Sequence, residues 1–178
     1  MDLNTVTALR HPKSPTEITE WRDGFAWLAG GTWLFSERQP AIDTLIDLDC
    51  FGWPALEASP AGLDIGATCR IGELYRFRAP SDWIAASLIR ACCNALLASF
   101  KIWNAATVGG NLCMSLPAGA MISLVVALEG SCTLWAHNAA ARQVPAVDFV
   151  MAITPTSCSR ANCSAKFICP LQRSRSGL

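Results

Sequence analysis

The residues with the clearest chemical potential in this sequence are two pairs of glycines, Gly30-Gly31 and Gly109-Gly110. Because glycine carries no Cβ, the backbone at such a pair can adopt positive φ and lie close against another surface. Small or polar residues adjoin each pair: Ala29 and Thr32 flank the first, and Asn111 follows the second. Each pair can be a plain turn, or it can present main-chain N–H groups to an anionic ligand. Two such turns in a chain with only 12 glycines suggest one site built from both.

No catalytic motif stands out in the sequence. Neither glycine pair matches the G-x-G-x-x-G or Walker pattern, and no nucleophile stands beside a base, so the sequence predicts no catalytic residue. His11 is predicted to have no companion acid or nucleophile nearby, and both it and His137 are predicted to be solvated loop histidines. If the chain is part of an enzyme, a cofactor must therefore supply the reactive chemistry.

The spacing of three cysteines does not match that of common metal sites. The gaps between Cys158, Cys163 and Cys169 are four and five residues, which fit neither a zinc pair nor a plant-type iron–sulfur run. The sequence therefore predicts no metal site. Nine cysteines, an odd number behind an N-terminus without a signal-peptide core, predict reduced thiols in a cytoplasmic protein.

Composition limits the classes of partner. Hydrophobic residues make up 52% of the 178 residues and charged residues only 16%, so a buried interface or an incomplete domain is expected. Lys+Arg and Asp+Glu both number 14, a balance that argues against electrostatic binding of nucleic acid. The longest apolar run, Ala118 to Leu128, is too short to span a membrane and predicts a buried helix.

The elements that must position the glycine pairs follow from local patterns. A capping box at Ser14–Glu17 predicts a helix from Pro15 to about Arg22, and Phe25–Leu28 reads as a strand entering the first pair. Alternating residues predict further strands, and apolar residues at helical spacing predict helices before and after the second pair. The predicted strands are Thr44–Asp49, Leu63–Ala67, Ser131–Ala136 and Arg142–Val147, and the predicted helices are Ile71–Leu74, Trp83–Ser99 and Gly119–Leu128.

Composition changes from Met151 onward, where serine, cysteine and arginine are frequent and no apolar period survives. No regular structure is predicted there. The sequence thus divides into an N-terminal lobe at 1–58, a second lobe at 59–150 and an irregular tail at 151–178.

Taken together, the motifs resemble a family. The segments are Leu28-Ala29-Gly30-Gly31-Thr32-x-Leu34, Leu63–Ala67 with Glu73-Leu74, Ile102-x-Asn104-x-Ala106–Leu112, and Pro117-Ala118-Gly119. In this order and spacing they resemble the FAD-binding medium subunit of molybdenum hydroxylases, such as xanthine dehydrogenase and carbon monoxide dehydrogenase. The resemblance covers roughly residues 3 to 150.

That resemblance implies an α+β, two-lobed FAD-binding fold of the vanillyl-alcohol-oxidase-like (PCMH) type, without the family's C-terminal subdomain. It implies that the chain is an oxidoreductase subunit that passes electrons from iron–sulfur clusters to flavin and on to an acceptor such as NAD. The implied partners are a molybdopterin-binding large subunit and a [2Fe-2S] subunit. By the same resemblance, FAD would be bound by Trp27, Leu28, Ala29, Gly30, Gly31, Thr32, Trp33, Leu34, Thr107, Val108, Gly109, Gly110 and Asn111.

Several positions depart from the family pattern. Trp33 and Trp103 stand where an acidic residue and an arginine are usual, and Leu116 and Ala120 replace the serine and aspartate of a Ser-Pro-x-x-Asp segment. A one-base shift over Met151–Pro170, with codons chosen freely, reproduces a family-like continuation, so we hypothesise that the tail is read out of frame. The alternative functions are a truncated remnant and a scaffold subunit that does not hold flavin.

Overall fold

The structure, a computed structural model, describes residues 4–136, 140–152 and 162–169. It is an α+β fold built on two sheets. The strands are β1 (Ala8–Arg10), β2 (Phe25–Leu28), β3 (Thr44–Asp47), β4 (Leu56–Ser59), β5 (Gly62–Gly66), β6 (Ser131–Ala136), β7 (Arg142–Pro145) and β8 (Asn162–Cys169). The helices are α1 (Ile71–Arg76), α2 (Ser87–Ala95), α3 (Phe100–Trp103), α4 (Val108–Cys113), α5 (Ala120–Ala127) and α6 (Ala146–Ala152), with 3₁₀ turns at Pro15–Glu17, Asp49–Phe51 and Ile84–Ala86.

The first sheet is parallel, with the strand order β1-β3-β2. Its register places Leu28 at the end of β2 opposite Asp47 at the end of β3. The carboxyl ends of all three strands therefore lie at one edge, the edge at which open parallel sheets commonly bind ligands. The chain enters the first glycine pair from this edge.

A small aromatic core covers the first sheet. Phe25 and Ile46 are buried, and the indole of Trp27 stacks on that of Trp21 at 4.6 Å between ring centroids. Trp135 from β6 meets Trp27 edge to face at 6.0 Å, so an aromatic side chain of the second lobe completes the core of the first.

The second sheet is antiparallel, with the order β4-β5-β8-β6-β7. Buried side chains of β5, such as Leu63 and Ile65, face the helices of the larger core. Leu124 and Val125 supply the buried side of α5, whose apolar run was predicted to form a buried helix. In the described part of the chain, no helix has the length and apolar character needed to cross a bilayer.

The predicted lobe boundary at residue 58 falls inside β4, which pairs with β5. The chain passes from the first sheet to the second between Phe51 and Leu56. The region predicted to be irregular contains β8, which lies between β5 and β6. The sequence of β8 has no clear two-residue period, and its strand conformation comes from pairing on both sides with distant strands.

The helix predicted from Pro15 to Arg22 is also wrong in extent, because only a 3₁₀ turn forms. The hydroxyl of Ser14 contacts that of Thr16 at 2.7 Å rather than capping main-chain N–H groups. The Glu17 carboxylate accepts from the Lys13 N–H at 3.1 Å, one residue before the N-cap Ser14 whose N–H a capping box would use. The helix predicted at Trp83–Ser99 is shorter as well, since α2 ends at Ala95.

Candidate functional site

The first glycine pair forms a turn with free main-chain donors. Gly31 has a φ of 68°, a conformation in which glycine is favoured. The Phe35 N–H donates to the Gly31 carbonyl at 2.8 Å and closes one helical turn. Within the described residues, no N–H of residues 29–34 donates to a main-chain carbonyl. Consecutive unpaired N–H groups form a concave donor surface of the kind that binds phosphate oxygens.

This turn touches the second lobe directly. A Cβ on Gly30 would lie 1.9 Å from the Ala105 carbonyl oxygen and 3.2 Å from the Ala106 Cα. Gly30 therefore lets two stretches of backbone come closer than any side chain would permit. The segment that leads into the second glycine pair forms a wall beside the free donors.

Arg70 also connects the two lobes, next to the contact between Gly30 and Ala105. Its Nη1 donates to the Ala105 carbonyl at 3.1 Å, and its Nη2 pairs with the carboxylate of Asp49 on the first lobe. The guanidinium is partly buried, with 26% of its side chain exposed. Arg70 therefore holds the two lobes together next to Gly30.

The second glycine pair has a different role in the fold. Thr107 is the N-cap of α4, and its Oγ1 accepts from the Gly110 N–H at 3.0 Å. The N–H groups of Val108 and Gly109 donate to carbonyls of the second lobe, and that of Asn111 donates to the Thr107 carbonyl. A Cβ on Gly109 would lie 2.6 Å from the Ala67 oxygen. These amides already have partners, so this turn packs α4 against the end of β5 instead of presenting free N–H groups.

The exposed part of the second turn is Gly110 and Asn111, because Thr107, Val108 and Gly109 are buried. The Asn111 Oδ1 accepts from the Met121 N–H at 3.2 Å and thereby holds the first turn of α5. The loop between these residues contains Ser115 and Ala118, both with positive φ.

The remaining predicted site residues lie around the first turn. The Trp27 side chain belongs to the aromatic core, and its Nε1 is buried without a hydrogen-bond partner among the described residues. Leu28 and Leu34 are partly exposed, and Trp33 is 44% exposed. Leu116, at a position where the family pattern has serine, is 53% exposed. The prediction that Trp27, Leu28, Trp33 and Leu34 contact FAD stays a prediction.

The structure also brings together three residues that the sequence analysis did not connect. The His11 Nδ1 lies 3.3 Å from the Cys50 Sγ and 3.4 Å from the Asp47 Oδ2. The prediction that His11 has no acid or nucleophile nearby is therefore wrong. His11 follows β1 and Asp47 ends β3, and the parallel pairing of these strands places both at one edge of the sheet. Chemistry-bearing residues just after neighbouring parallel strands were the signal that could have found this cluster.

Several thiols of the described residues have raised pKa values. Burial raises the pKa of Cys69 to about 12, that of Cys93 to about 11 and that of Cys132 to about 12. The pKa of Cys50 is also raised, by desolvation and by the neighbouring Asp47 carboxylate. All four thiols are thus protonated at neutral pH and are weak nucleophiles. His137, Cys158 and the side chains of Cys163 and Cys169 lie outside the described residues.

A family model described as the FAD binding domain in molybdopterin dehydrogenase matches residues 7–171, a span that includes β8. A search of curated proteins finds no match.

Solved structures have the same fold at low sequence identity. Carbon monoxide dehydrogenase from Oligotropha carboxidovorans, in its reconstituted form, matches with a TM-score of 0.80 and 22% identity over 98% of this chain and 62% of that chain. Carbon monoxide dehydrogenase from Hydrogenophaga pseudoflava, in a form that lacks the Mo-pyranopterin moiety of its cofactor, matches with a TM-score of 0.77 and 19% identity over 95% of this chain and 60% of that chain. Quinoline 2-oxidoreductase from Pseudomonas putida 86 matches with a TM-score of 0.74 and 18% identity over 93% of this chain and 58% of that chain. The chain thus spans about three fifths of the length of these chains.

Proposed function

We propose a function from one premise: the chain belongs to the family of FAD-binding domains of molybdopterin dehydrogenases. In this proposal it is the flavin-binding subunit, or part of it, in a molybdenum hydroxylase of the xanthine dehydrogenase kind. It passes electrons from iron–sulfur clusters to flavin and on to an acceptor such as NAD. The observation that carries the proposal is the run of unpaired N–H groups at residues 29–34, at the junction of the two lobes.

The first turn fits the diphosphate of FAD. A diphosphate needs several donors close together, and N–H groups free of carbonyl partners meet that need without breaking existing bonds. Gly31 provides the backbone conformation, and Gly30 brings the wall at Ala105 close to the donors. When bound, FAD supplies the redox chemistry, and the chain supplies donors and apolar walls.

The second turn has a different part in this proposal. Because the N–H groups of Val108 to Asn111 are already used, we assign to Thr107, Val108 and Gly109 the task of fixing the shape of the second lobe. Gly110 and Asn111 remain partly exposed and are the residues of this turn that reach the cofactor. Leu116 is expected to contribute only apolar contact.

The proposed partners are a molybdopterin-binding large subunit and a [2Fe-2S] subunit. Exposed apolar side chains support a role in an assembly, because Leu97 is 95%, Phe100 74% and Ile84 67% exposed. Such residues lie close together in the sequence around α2 and α3, and exposed apolar patches are typical of interaction surfaces.

The test is FAD binding by the purified chain, measured by quenching of flavin fluorescence. The variant Thr32→Pro removes one free N–H at the first position of a helical turn, where proline is tolerated. We expect FAD affinity to fall about 10-fold or more, as for loss of one hydrogen bond to a charged group, without a change in the unfolding midpoint. Ile84→Pro, which makes the same change at the start of another short turn, is the matched control and should bind FAD normally.

If the unaltered chain takes up no FAD but co-purifies with molybdenum and iron–sulfur subunits, the scaffold function replaces this proposal. Equal FAD affinity of Thr32→Pro and the unaltered chain would reject the first turn as the diphosphate site.

A further inference from the structure

The cluster of His11, Asp47 and Cys50 lies beyond the glycine turns and has no role in the function proposed above. Its three ligand atoms are the His11 Nδ1, the Asp47 Oδ2 and the Cys50 Sγ, which all lie within 4.8 Å of one another. The imidazole is 56% exposed and the Asp47 side chain 21% exposed, so the cluster opens to solvent. A nitrogen, an oxygen and a sulfur atom thus converge on one point at the sheet edge.

The geometry does not suit nucleophilic catalysis. A Cys-His-Asp relay needs the two imidazole nitrogens to face different partners, one toward the nucleophile and the other toward the acid. Here the same atom, Nδ1, faces both the thiol and the carboxylate. A proton therefore cannot pass through the ring from Cys50 to Asp47.

The same distances suit a metal ion. Tetrahedral zinc, with usual bond lengths to nitrogen, oxygen and sulfur, places its nitrogen and oxygen ligands about 3.4 Å apart and its sulfur about 3.6 Å from either. In the cluster the nitrogen–oxygen distance is 3.4 Å, the sulfur–oxygen distance 3.6 Å and the sulfur–nitrogen distance 3.3 Å. All three observed distances between ligand atoms therefore agree with those of tetrahedral zinc to within about 0.3 Å.

Neighbouring groups orient the carboxylate. The Asp49 N–H donates to the Asp47 Oδ1 at 3.0 Å, which leaves the other oxygen, Oδ2, facing His11 and Cys50. Such bonds to the far side of a ligand hold it in place for a metal. The Asp49 carboxylate itself is paired with Arg70, so it is not a fourth ligand.

We infer that His11, Asp47 and Cys50 bind a divalent transition-metal ion, that zinc fits these ligands best, and that water completes its tetrahedron. On binding, a bond forms between the Cys50 sulfur and the metal, the thiol proton passes to solvent, and no oxidation or reduction takes place. An open fourth position resembles that of catalytic zinc sites rather than closed structural ones.

The test uses cobalt(II) as a spectroscopic probe and zinc(II) as competitor, added to the full chain under reducing conditions. We expect a thiolate-to-cobalt charge-transfer band that zinc abolishes. Cys50→Ser should remove the band, and His11→Ala and Asp47→Asn should weaken cobalt binding at least about 10-fold, since even changes behind the ligands have effects of that size. Cys92→Ser is the matched control, because it removes a partly buried thiol from α2 and should leave the band unchanged.

A second measurement separates metal binding from folding. Zinc should raise the urea midpoint of the unaltered chain and of Cys92→Ser, but not that of Cys50→Ser. Absence of the band in the unaltered chain would show that the cluster is only hydrogen-bonded. A band that persists in Cys50→Ser would place the metal on other cysteines, and either result overturns the inference.

Discussion

The Gly30→Ala substitution tests the junction between the lobes most directly. The added Cβ would lie 1.9 Å from the Ala105 carbonyl oxygen and 2.8 Å from its carbon, while real Cβ contacts under 3.0 Å are essentially never observed. The two backbones must therefore separate by about 1 Å, and no flexible side chain can absorb the overlap. Gly30 does not have positive φ, so the effect is a clash between the lobes rather than a strained dihedral angle.

The size of the effect follows from two contributions. Overpacking of this kind destabilises by about 1 to 3 kcal/mol, and separation also weakens the bond from Arg70 to Ala105, a hydrogen bond to a charged group worth about 1.5 to 3 kcal/mol. Since the two losses share one displacement, they do not add fully, and we expect the free energy of unfolding to fall by about 2 to 4 kcal/mol. FAD affinity should fall about 10-fold or more, because the wall moves away from the free donors.

Urea unfolding followed by tryptophan fluorescence and FAD titration measure the two effects. Gly52→Ala is the matched control: Gly52 has a φ of 63° and open space around its missing Cβ, so this variant adds strain without a clash. It should lose about 1 to 2 kcal/mol of stability and bind FAD normally. The reasoning is refuted if Gly30→Ala is as stable as Gly52→Ala and binds FAD as tightly as the unaltered chain.

Three further changes probe single features. Thr107→Ala removes the side-chain oxygen that accepts from the Gly110 N–H and should lower the free energy of unfolding by about 1 to 2 kcal/mol, whereas Thr107→Ser, which keeps that oxygen, should lower it less in the same urea titration. Ala118 has a φ of 57°, so Ala118→Gly relieves about 1 to 2 kcal/mol of strain against about 0.4 to 1 kcal/mol of added unfolded-state entropy; the urea midpoint should rise, and a fall would contradict the assigned conformation. Two hydrogen bonds from Arg22 lower the pKa of Asp43 from 3.8 to about 2. The stability that they contribute is therefore present above pH 3.8 and lost as the pH falls toward 2, so Asp43→Asn should reduce the loss of stability over that window in urea titrations at several pH values.

Local patterns predicted much of the fold. Alternation along Thr44–Asp49 and Leu63–Ala67 predicted strands close to those found, Thr44–Asp47 and Gly62–Gly66, although Thr44, Leu45 and Ile46 of β3 are all buried rather than alternately exposed. The strand β8 was missed for a physical reason: its pairing partners, β5 and β6, are far away in the chain and impose the extended conformation from both sides. That the tail is read out of frame stays a hypothesis, and the nucleotide sequence of the gene would test it.

The cluster around His11 marks another limit of reading a sequence. Between His11 and Cys50 lie 38 residues, and nothing in the local pattern of either predicts the other. Their proximity depends on the parallel pairing of β1 with β3, which is a property of the sheet rather than of any segment. A sequence shows which residues could bind a metal, but the strand order decides which of them meet.

At the candidate site, too, the fold and not the local sequence decides what each of the two glycine pairs does. Both appear in the sequence as turns able to face an anion, yet only the first keeps its donors free. At the second, the carbonyls of Ala67 and Cys69 accept the N–H groups of Gly109 and Val108 across about 40 residues of chain, and Thr107 accepts that of Gly110. A glycine pair indicates only that backbone approaches something closely. At Gly109 the neighbour is another part of the fold, whereas at Gly31 the free donors leave room for a ligand, and for this reason the first turn carries the proposed FAD site.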